Sequence, residues 1–285
     1  MRALQSEGLS QRQSCHLVAC PRPTAQYQSV RIDRDRPVRE RLRVLAGQRL
    51  RAGWRTLKIF LRREGIVMND KRLRRIYREE KLQVKPRKRR RVRLVRGPVA
   101  PPPRSLNDEW GLDFMEDRLW TRRKIRALTV EDRFSREGLA LDIDFSLTGR
   151  RVTRKLDEIA WLRGSYPHRL RVDNGPENCS RAMLEWAVEH DVELHFIEPG
   201  KPAQNAWIES FNARVRDEFF NLRSFRALDD VRNGAATWLT DYNHVRPHSS
   251  LGYKTPAEFA AEVSSLSTES TAAAAVTASP QLQLA

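Results

Sequence analysis

Cysteine is scarce in this sequence. The 285 residues include three cysteines, Cys15, Cys20 and Cys179, which are too few and too scattered for a disulfide framework. Cys15, His16 and Cys20 lie close together in the sequence, but their spacing differs from that of zinc sites and a fourth ligand is lacking. The cysteine content therefore excludes a disulfide-stabilised scaffold and gives no basis for a zinc centre.

Long apolar runs are also missing. No stretch of the chain approaches the roughly 18 apolar residues that a membrane-spanning helix requires. The N-terminal residues lack the apolar segment of a secretory signal peptide. Because both signals for membrane insertion or export are missing, we expect a cytoplasmic protein.

Acidic residues are few near the N-terminus. Residues 1–104 contain 30 Lys and Arg against 8 Asp and Glu, whereas residues 105–285 contain 23 against 28. The formal charge of +17 predicts a polyanionic partner, and its uneven distribution predicts that the N-terminal part supplies the attraction to phosphates. The remainder is rich in carboxylates. This division fits a DNA-binding module joined to a metal-dependent catalytic module.

The basic N-terminal part carries a pattern of three short helices. Residues 1–36 are predicted to be either a basic leader or part of a helix-turn-helix, and Ser10 can cap a short helix there. Over residues 37–84, starting at Pro37, apolar residues recur at helical spacing, and Asn69 is placed to cap the third helix. A basic outer side on that helix is typical of a helix-turn-helix whose last helix enters a DNA major groove; a helical bundle that contacts only phosphates is the alternative. The basic residues concerned are Lys71, Arg72, Arg74, Arg75 and Arg78.

Residues 85–107 differ in composition from both neighbours. Residues 85–96 hold eight basic residues in twelve and no acid, and four prolines follow between Gly97 and Pro103. Proline prevents a packed helix there. We interpret the segment as a phosphate-binding arm followed by an extended linker. The arm contains Lys88, Arg89, Arg90 and Arg91.

Strand and helix patterns alternate over residues 108–262. Three strand patterns with short polar connections predict antiparallel hairpins, and a helix, a strand, a helix and a strand follow. The order β-β-β-α-β-α-β indicates an α/β domain with a mixed sheet. Residues 263–285 are rich in Ala, Ser and Thr and poor in large apolar residues, a composition that predicts a disordered tail.

Three carboxylates in the α/β region are candidate metal ligands. Asp113 lies within a strand pattern, Asp173 directly follows another, and Glu209 lies in the first turns of a helix, with 35 residues between it and Asp173. If they converge, they repel one another unless a divalent cation neutralises them. Oxygen ligands favour Mg²⁺ or Mn²⁺, and two ions about 4 Å apart suit in-line phosphoryl transfer. Taken singly, the three acids could also be a strand-edge residue, a turn residue and a helix-surface residue.

The motifs around these acids resemble those of the DDE integrase superfamily. W-x-x-D-F surrounds Asp113, D-N-G-P-E begins at Asp173, and N-A-x-I-E-S-F-N surrounds Glu209. A closing signature, Y-N-x-x-R-P-H-S-S-L-G-Y, begins at Tyr242. Their order and spacing are most similar to those of the second-frame transposases of the IS-three group of bacterial insertion sequences, and the resemblance covers residues 38–259.

This resemblance implies a ribonuclease H-like core in which Asp113, Asp173 and Glu209 are catalytic and hold two Mg²⁺ or Mn²⁺ ions. It implies cleavage of one DNA strand at an element end, attack by the freed 3′-hydroxyl on further DNA, and a circular intermediate. The implied partners are double-stranded DNA at element ends and target, further copies of the chain, and a helix-turn-helix protein from an upstream frame. The expected location is the bacterial cytoplasm, with the nucleoid when DNA is bound. Further residues implied in DNA contact are Lys201, Gln204, Asn205 and Arg216.

Within the α/β region the chain departs from the family pattern at two positions. Asn178 stands where the family has Phe, and Glu131 stands where the family has an apolar strand residue. Neither change removes a candidate carboxylate.

Two other functions are compatible with parts of the chain. A catalytically silent DNA-binding repressor or decayed transposase copy would use residues 1–104 alone, but all three carboxylates are present. A nuclease acting on RNA–DNA hybrids would share the core, and the basic helix-turn-helix and the closing signature argue against it.

Overall fold

A computed structural model describes residues 2–26, 31–84, 101–198 and 205–277, and describes side chains for residues 4–26, 34–84, 101–198 and 205–266. The chain divides into two units, Met1–Lys85 and Pro86–Ala285. Several residues predicted to contact DNA lie outside the described residues, namely Lys88, Arg89, Arg90, Arg91, Lys201 and Gln204.

The first unit is helical. Its predicted caps are present: Ser10 and Gln13 form a reciprocal capping box, and Asn69 Oδ1 accepts a hydrogen bond of 2.8 Å from Lys71 N. The helices are α1 (Arg2–Ser6), α2 (Gln11–Leu17), α3 (Arg22–Gln26), α4 (Arg31–Gln48), α5 (Trp54–Arg63) and α6 (Asp70–Glu79).

Helices α4, α5 and α6 enclose the apolar core of this unit. The apolar residues that recur at helical spacing in the sequence are buried against one another, as the amphipathic pattern requires. Burial of these side chains supplies the main stabilisation of the unit. The core comprises Val38, Leu42, Leu45, Leu57, Leu61, Leu73, Ile76 and Tyr77.

Helix α4 begins earlier than predicted. It starts at Arg31, so the predicted boundary at Pro37 falls inside a helix. The reason is a tertiary contact: the buried carboxylate of Asp35 accepts hydrogen bonds from Arg72 Nε at 2.8 Å and from Arg75. This ion pair joins the start of α4 to α6 and gives no signal in the apolar pattern of the sequence.

The second unit is built on a five-stranded mixed sheet. The strand order is β3-β2-β1-β4-β5, with antiparallel pairing from β1 to β2 to β3 and parallel pairing of β1 with β4 and of β4 with β5. The predicted order of strands and helices is confirmed. These elements are β1 (Glu109–Arg118), β2 (Lys124–Asp132), β3 (Gly138–Asp144), α7 (Gly149–Arg163), β4 (Arg169–Val172), α8 (Arg181–Glu189) and β5 (Glu193–Phe196).

Helices cover both faces of the sheet. On one face Trp110 and Leu112 of β1 pack in a core shared with α7 and α8. On the other face Met115 and Ile143 pack with Phe211 in a core shared with α9 (Ala206–Glu218) and α10 (Leu228–His244). Because side chains alternate along a strand, Asp113 is on the α9 face, opposite Leu112, as the sequence predicts.

The C-terminal segment differs from the predicted disordered tail. Helix α11 runs over Pro256–Thr277, so residues 263–277 are helical. Runs of alanine favour helix by intrinsic propensity, even where large apolar residues for packing are few. None of the helices in the described ranges is long and apolar enough to span a membrane.

Candidate active site

Asp113 lies on β1, and Asp173 directly follows the adjacent parallel strand β4. The β1–β4 register pairs Glu109 with Arg169 and Gly111 with Arg171, a constant separation of 60 positions in the sequence. The same separation relates Asp113 to Asp173. The register continued by two positions would set the two carboxylates beside each other, and they are close enough that the charge of Asp173 helps to raise the pKa of Asp113.

Helix α9 brings Glu209 to the same face of the sheet. The helix crosses β1 closely at Gly111, where an added Cβ would lie 3.5 Å from Ile208 Cβ. One turn after Glu209, Asn212 Nδ2 donates a hydrogen bond of 2.8 Å to Asp113 Oδ2. Residues three apart lie on the same helix face, so the face of α9 that carries Glu209 is directed to Asp113.

A tight turn holds Asp173 after β4. Its Oδ1 accepts hydrogen bonds from Gly175 N at 3.0 Å and from Asn178 Nδ2 at 2.7 Å. A Cβ on Gly175 would lie 2.9 Å from Asp173 Oδ1, so a larger residue there would displace the Asp173 carboxylate. Glu177, in the same turn, forms an ion pair with Arg126 of β2, and the hydrogen bond from Arg126 lowers the pKa of Glu177.

The three candidate acids interact electrostatically. The pKa of Asp113 is raised to about 6, first by burial, and further by the negative charges of Asp173 and Glu209. The hydrogen bonds from Phe114 N and Asn212 oppose this rise only in part. Two neighbouring carboxylates disfavour the charged form of Asp113, and a bound divalent cation would offset this repulsion.

The acids do not form a closed ligand cluster. Over the described ranges, no group of three or more His, Cys, Asp or Glu side chains is arranged so that it could hold a metal ion. The predicted convergence of the three acids as metal ligands stays a prediction, which their electrostatic interaction supports. Amide donors hold the carboxylates instead: Asn212 binds Asp113, and Asn178 binds Asp173.

The donor set fits a hydrated divalent cation. Carboxylate oxygens are the ligands that Mg²⁺ and Mn²⁺ prefer. Asn178 and Asn212 are buried, and among the described residues the Oδ1 atom of each lacks a hydrogen-bond partner. Buried acceptors of this kind require a donor, and water held by a cation would supply one. These two amides were not among the predicted site residues. Asn212 could have been found from its spacing to Glu209, and Asn178 from its departure from the family pattern.

The structure describes two of the predicted DNA contacts near the site, Arg216 and Asn205. Arg216, two turns after Glu209 on α9, donates hydrogen bonds to Asp117 at 3.2 Å and to the carbonyl of Glu116 at 2.8 Å. Arg216 is part-exposed and keeps a face towards solvent, whereas Asn205 is buried at the N-terminal end of α9.

The predicted basic surface of α6 is only partly free. Lys71, Arg74 and Arg78 are exposed, in keeping with an outer face. Arg72 and Arg75, also predicted to be on the outer side, instead bind Asp35. A buried carboxylate requires charged or hydrogen-bonding partners, so these two arginines hold α4 and α6 together.

The closing signature is structural. Asn243 accepts a hydrogen bond from Gly138 N at 2.9 Å and donates one to Gly138 O at 2.8 Å. Arg246 donates two hydrogen bonds to Glu218 at 3.0 and 2.7 Å. His248 is half-buried, and burial lowers its pKa to about 3. These contacts join α10 and the residues after it to β3 and α9.

Glu131, the second departure from the family pattern, is buried in β2 beside a bulge. Burial, together with the charge of Asp132, raises its pKa to about 8, although Arg136 and a hydrogen bond from Tyr242 oppose the rise. The acid is therefore largely neutral at pH 7, which avoids the cost of a buried charge.

Sequence and structure comparisons identify the family. Two integrase core domain families match residues 103–202 and residues 190–256. A 31.7 kDa protein of insertion element IS407 from Burkholderia multivorans is 40% identical over 254 residues, which are 89% of this chain and 91% of the relative. The chain belongs to the integrase-core family of insertion-element transposases.

Other matches agree with this assignment. A 39.2 kDa protein of insertion element IS476 from Xanthomonas euvesicatoria is 41% identical over 265 residues, which are 91% of this chain and 75% of the relative. A chain of the simian T-cell lymphotropic virus intasome, solved with PP2A regulatory subunit B56 gamma, gives a TM-score of 0.50 at 15% identity and covers 86% of this transposase and 76% of its own length. That likeness shows the ribonuclease H-like fold. The more specific placement in the IS-three group stays a prediction.

Proposed function

We propose that this transposase cuts and joins DNA strands at the ends of its insertion element by divalent-metal-dependent phosphoryl transfer. Asp113, Asp173 and Glu209 are the catalytic acids and the ligands of two Mg²⁺ or Mn²⁺ ions. The observation that supports this most is that α9, which carries Glu209, is bound to Asp113 through Asn212, while Asp173 directly follows the strand that pairs with the strand of Asp113.

The residues contribute charge and position to the reaction. The ions, when bound, favour deprotonation of the attacking hydroxyl and neutralise the leaving oxygen. Asp113 on β1, Asp173 after β4 and Glu209 on α9 would hold the ions, whose positive charge would let the reacting phosphate lie beside three carboxylates. In the cleavage step water attacks phosphorus and the P–O3′ bond breaks, which leaves a 3′-hydroxyl. In the joining step that hydroxyl attacks a second phosphate and displaces its 3′-oxygen.

Electrostatics suit a reaction at a polyanion. We propose that the basic surface of α6 and the basic arm bind element ends or target DNA through the DNA phosphates. Arg216, Lys201, Gln204 and Asn205 belong to the same proposed interface. Because an insertion element has two ends, we propose that more than one copy of the chain binds DNA during the reaction. The upstream-frame helix-turn-helix protein remains a proposed partner.

Joined element ends provide the direct test. The chain is expressed with its native flanking DNA, and junctions between element ends are amplified and compared with those from Glu209→Gln. Junctions that form only with the unmutated chain support a carboxylate-dependent strand transferase. Junctions with both chains contradict the role of Glu209. If neither chain forms junctions, even with the upstream frame supplied, the silent repressor or decayed copy is the better description.

A further inference from the structure

Asn178 is a fully buried amide beside Asp173. Its Nδ2 donates to Asp173 Oδ1 at 2.7 Å and lies 3.4 Å from the Asp173 carbonyl oxygen. Gly175 N donates to the same Oδ1. Both donors thus converge on one carboxylate oxygen. Within the described residues, Oδ2 of Asp173 receives no hydrogen bond, which leaves it available to a ligand.

Asp113 is held differently. Phe114 N donates to its Oδ1 at 2.8 Å, and Asn212 donates to its Oδ2. Each oxygen of Asp113 therefore has one donor, whereas both donors to Asp173 bind the same atom. The difference points to Asp173 as the acid whose free oxygen is oriented by its surroundings.

Stability alone does not explain an amide at this position. Asn178 Oδ1 is buried without a partner among the described residues, and an unsatisfied buried acceptor destabilises the folded protein. The hydrogen bond from Asn178 to the charged Asp173 stabilises it. The two effects are of similar size, so they nearly cancel. An apolar residue, such as the Phe of the family pattern, would avoid the cost but could not donate to Asp173.

We propose that Asn178 is a positioning residue for the metal ligand Asp173. Its amide saturates Oδ1 and leaves Oδ2 as the oxygen that binds the divalent cation. This inference rests on the proposed function. Groups that orient a metal ligand typically alter metal affinity by about 10- to 100-fold when they are replaced.

The test compares Asn178→Leu with Asn243→Leu in the full chain. Leucine keeps the approximate size of asparagine, removes the donor to Asp173 and also removes the unpartnered oxygen. Asn243 binds the backbone of Gly138, so its replacement removes a part-buried amide that does not touch the acids. Mn²⁺ binding is measured by titration calorimetry, and unfolding is measured in urea without metal.

We expect Asn178→Leu to bind Mn²⁺ about 10- to 100-fold more weakly with unchanged or higher metal-free stability. Asn243→Leu should lose stability and keep its Mn²⁺ affinity. Equal Mn²⁺ affinity in Asn178→Leu and the unmutated chain overturns the positioning role and leaves the proposed function standing. An equal loss of affinity in both variants also overturns it, because general loosening then explains the effect. If the unmutated chain binds no Mn²⁺, the proposed function fails and this inference fails with it.

Discussion

Asn212 donates a hydrogen bond to Asp113 across the contact between α9 and β1, with 2.8 Å between Nδ2 and Oδ2. Glu209 lies one turn earlier on the same helix. A single amide therefore links the helix that carries one acid to the strand that carries another. Ile208 and Phe211, both buried, provide the apolar packing that keeps this helix on the sheet.

Asp113→Asn should abolish strand joining and stabilise the metal-free protein at neutral pH. The folded-state pKa of Asp113, about 6, lies above its usual value of 3.8, so its contribution to stability is lost as pH rises from about 4 through about 6. Asparagine does not ionise, so the variant does not lose stability over this pH range. At about pH 7.5 we expect a gain of up to about 2 kcal/mol after allowance for solvent screening.

Urea unfolding in the presence of a chelator measures this effect for both chains at about pH 5 and about pH 7.5. The difference between them should be larger at the higher pH. A difference that does not change with pH would show that the neighbouring carboxylates do not disfavour the charged form of Asp113.

Glu131→Gln should flatten the dependence of stability on pH. The folded-state pKa of Glu131 is about 8, against 4.5 for an ordinary glutamate, so its contribution is present at low pH and is lost as pH rises from about 4.5 through about 8. The slope is at most about 1.4 kcal/mol per pH unit. The free energy of unfolding of the unmutated chain, relative to the variant, should fall as the pH is raised through this window. A constant difference would mean that Glu131 is charged when the protein is folded.

The sheet and the position of the acids could be predicted because they depend on local patterns. The alternation of apolar residues in β1 marked a strand and put Asp113 on the face opposite Leu112. Asp113 and Asp173 each lie two positions after a residue of the Gly111–Arg171 pair. This equal spacing can be read from the sequence once β1 and β4 are known to pair. Side chains directed by strand alternation and helix periodicity need no knowledge of distant contacts.

The features that could not be predicted depend on contacts between distant residues. The start of α4 depends on the ion pairs of Asp35 with α6, and the buried state of Glu131 depends on its hydrogen bond with Tyr242. The roles of Asn178 and Asn212 become visible only when the structure shows which carboxylates their amides bind. The composition of residues 263–277 indicated few packing contacts and therefore predicted disorder, but the intrinsic helix propensity of alanine does not depend on packing.

Gly138→Ala should destabilise the second unit, whereas Gly111→Ala should have a small effect. An added Cβ at Gly138 would lie 2.6 Å from Leu239 and 2.8 Å from Phe211, both side-chain contacts inside the core. At Gly111 the nearest atom, in Ile208, is 3.5 Å away, an ordinary contact. Overpacking of a core typically costs about 1–3 kcal/mol. Thermal unfolding of both variants decides this, and equal stability would contradict the close packing of α9 and α10 against β3.

DNA binding by α6 should depend on its exposed cations and not on the arginines that bind Asp35. Lys71→Ala and Arg78→Ala remove exposed charges. Each should weaken duplex binding and reduce the salt dependence of log K by about 0.9 for each DNA phosphate that the variant no longer neutralises. Arg72→Ala should mainly destabilise the first unit, because Asp35 is buried and would be deprived of a partner. Fluorescence anisotropy with a duplex over a range of salt concentrations measures the first effect, and thermal unfolding measures the second.

Arg36→Ala, which removes an exposed charge from α4, is the matched control for the α6 variants and should leave the salt slope unchanged. Arg36 and Arg78 carry the same charge on different helices. The comparison therefore shows whether DNA binding depends on where a charge lies or only on the number of charges. If all exposed-charge variants reduce the slope equally, the attraction to DNA comes from the general charge of the unit and α6 is not a specific DNA-binding surface.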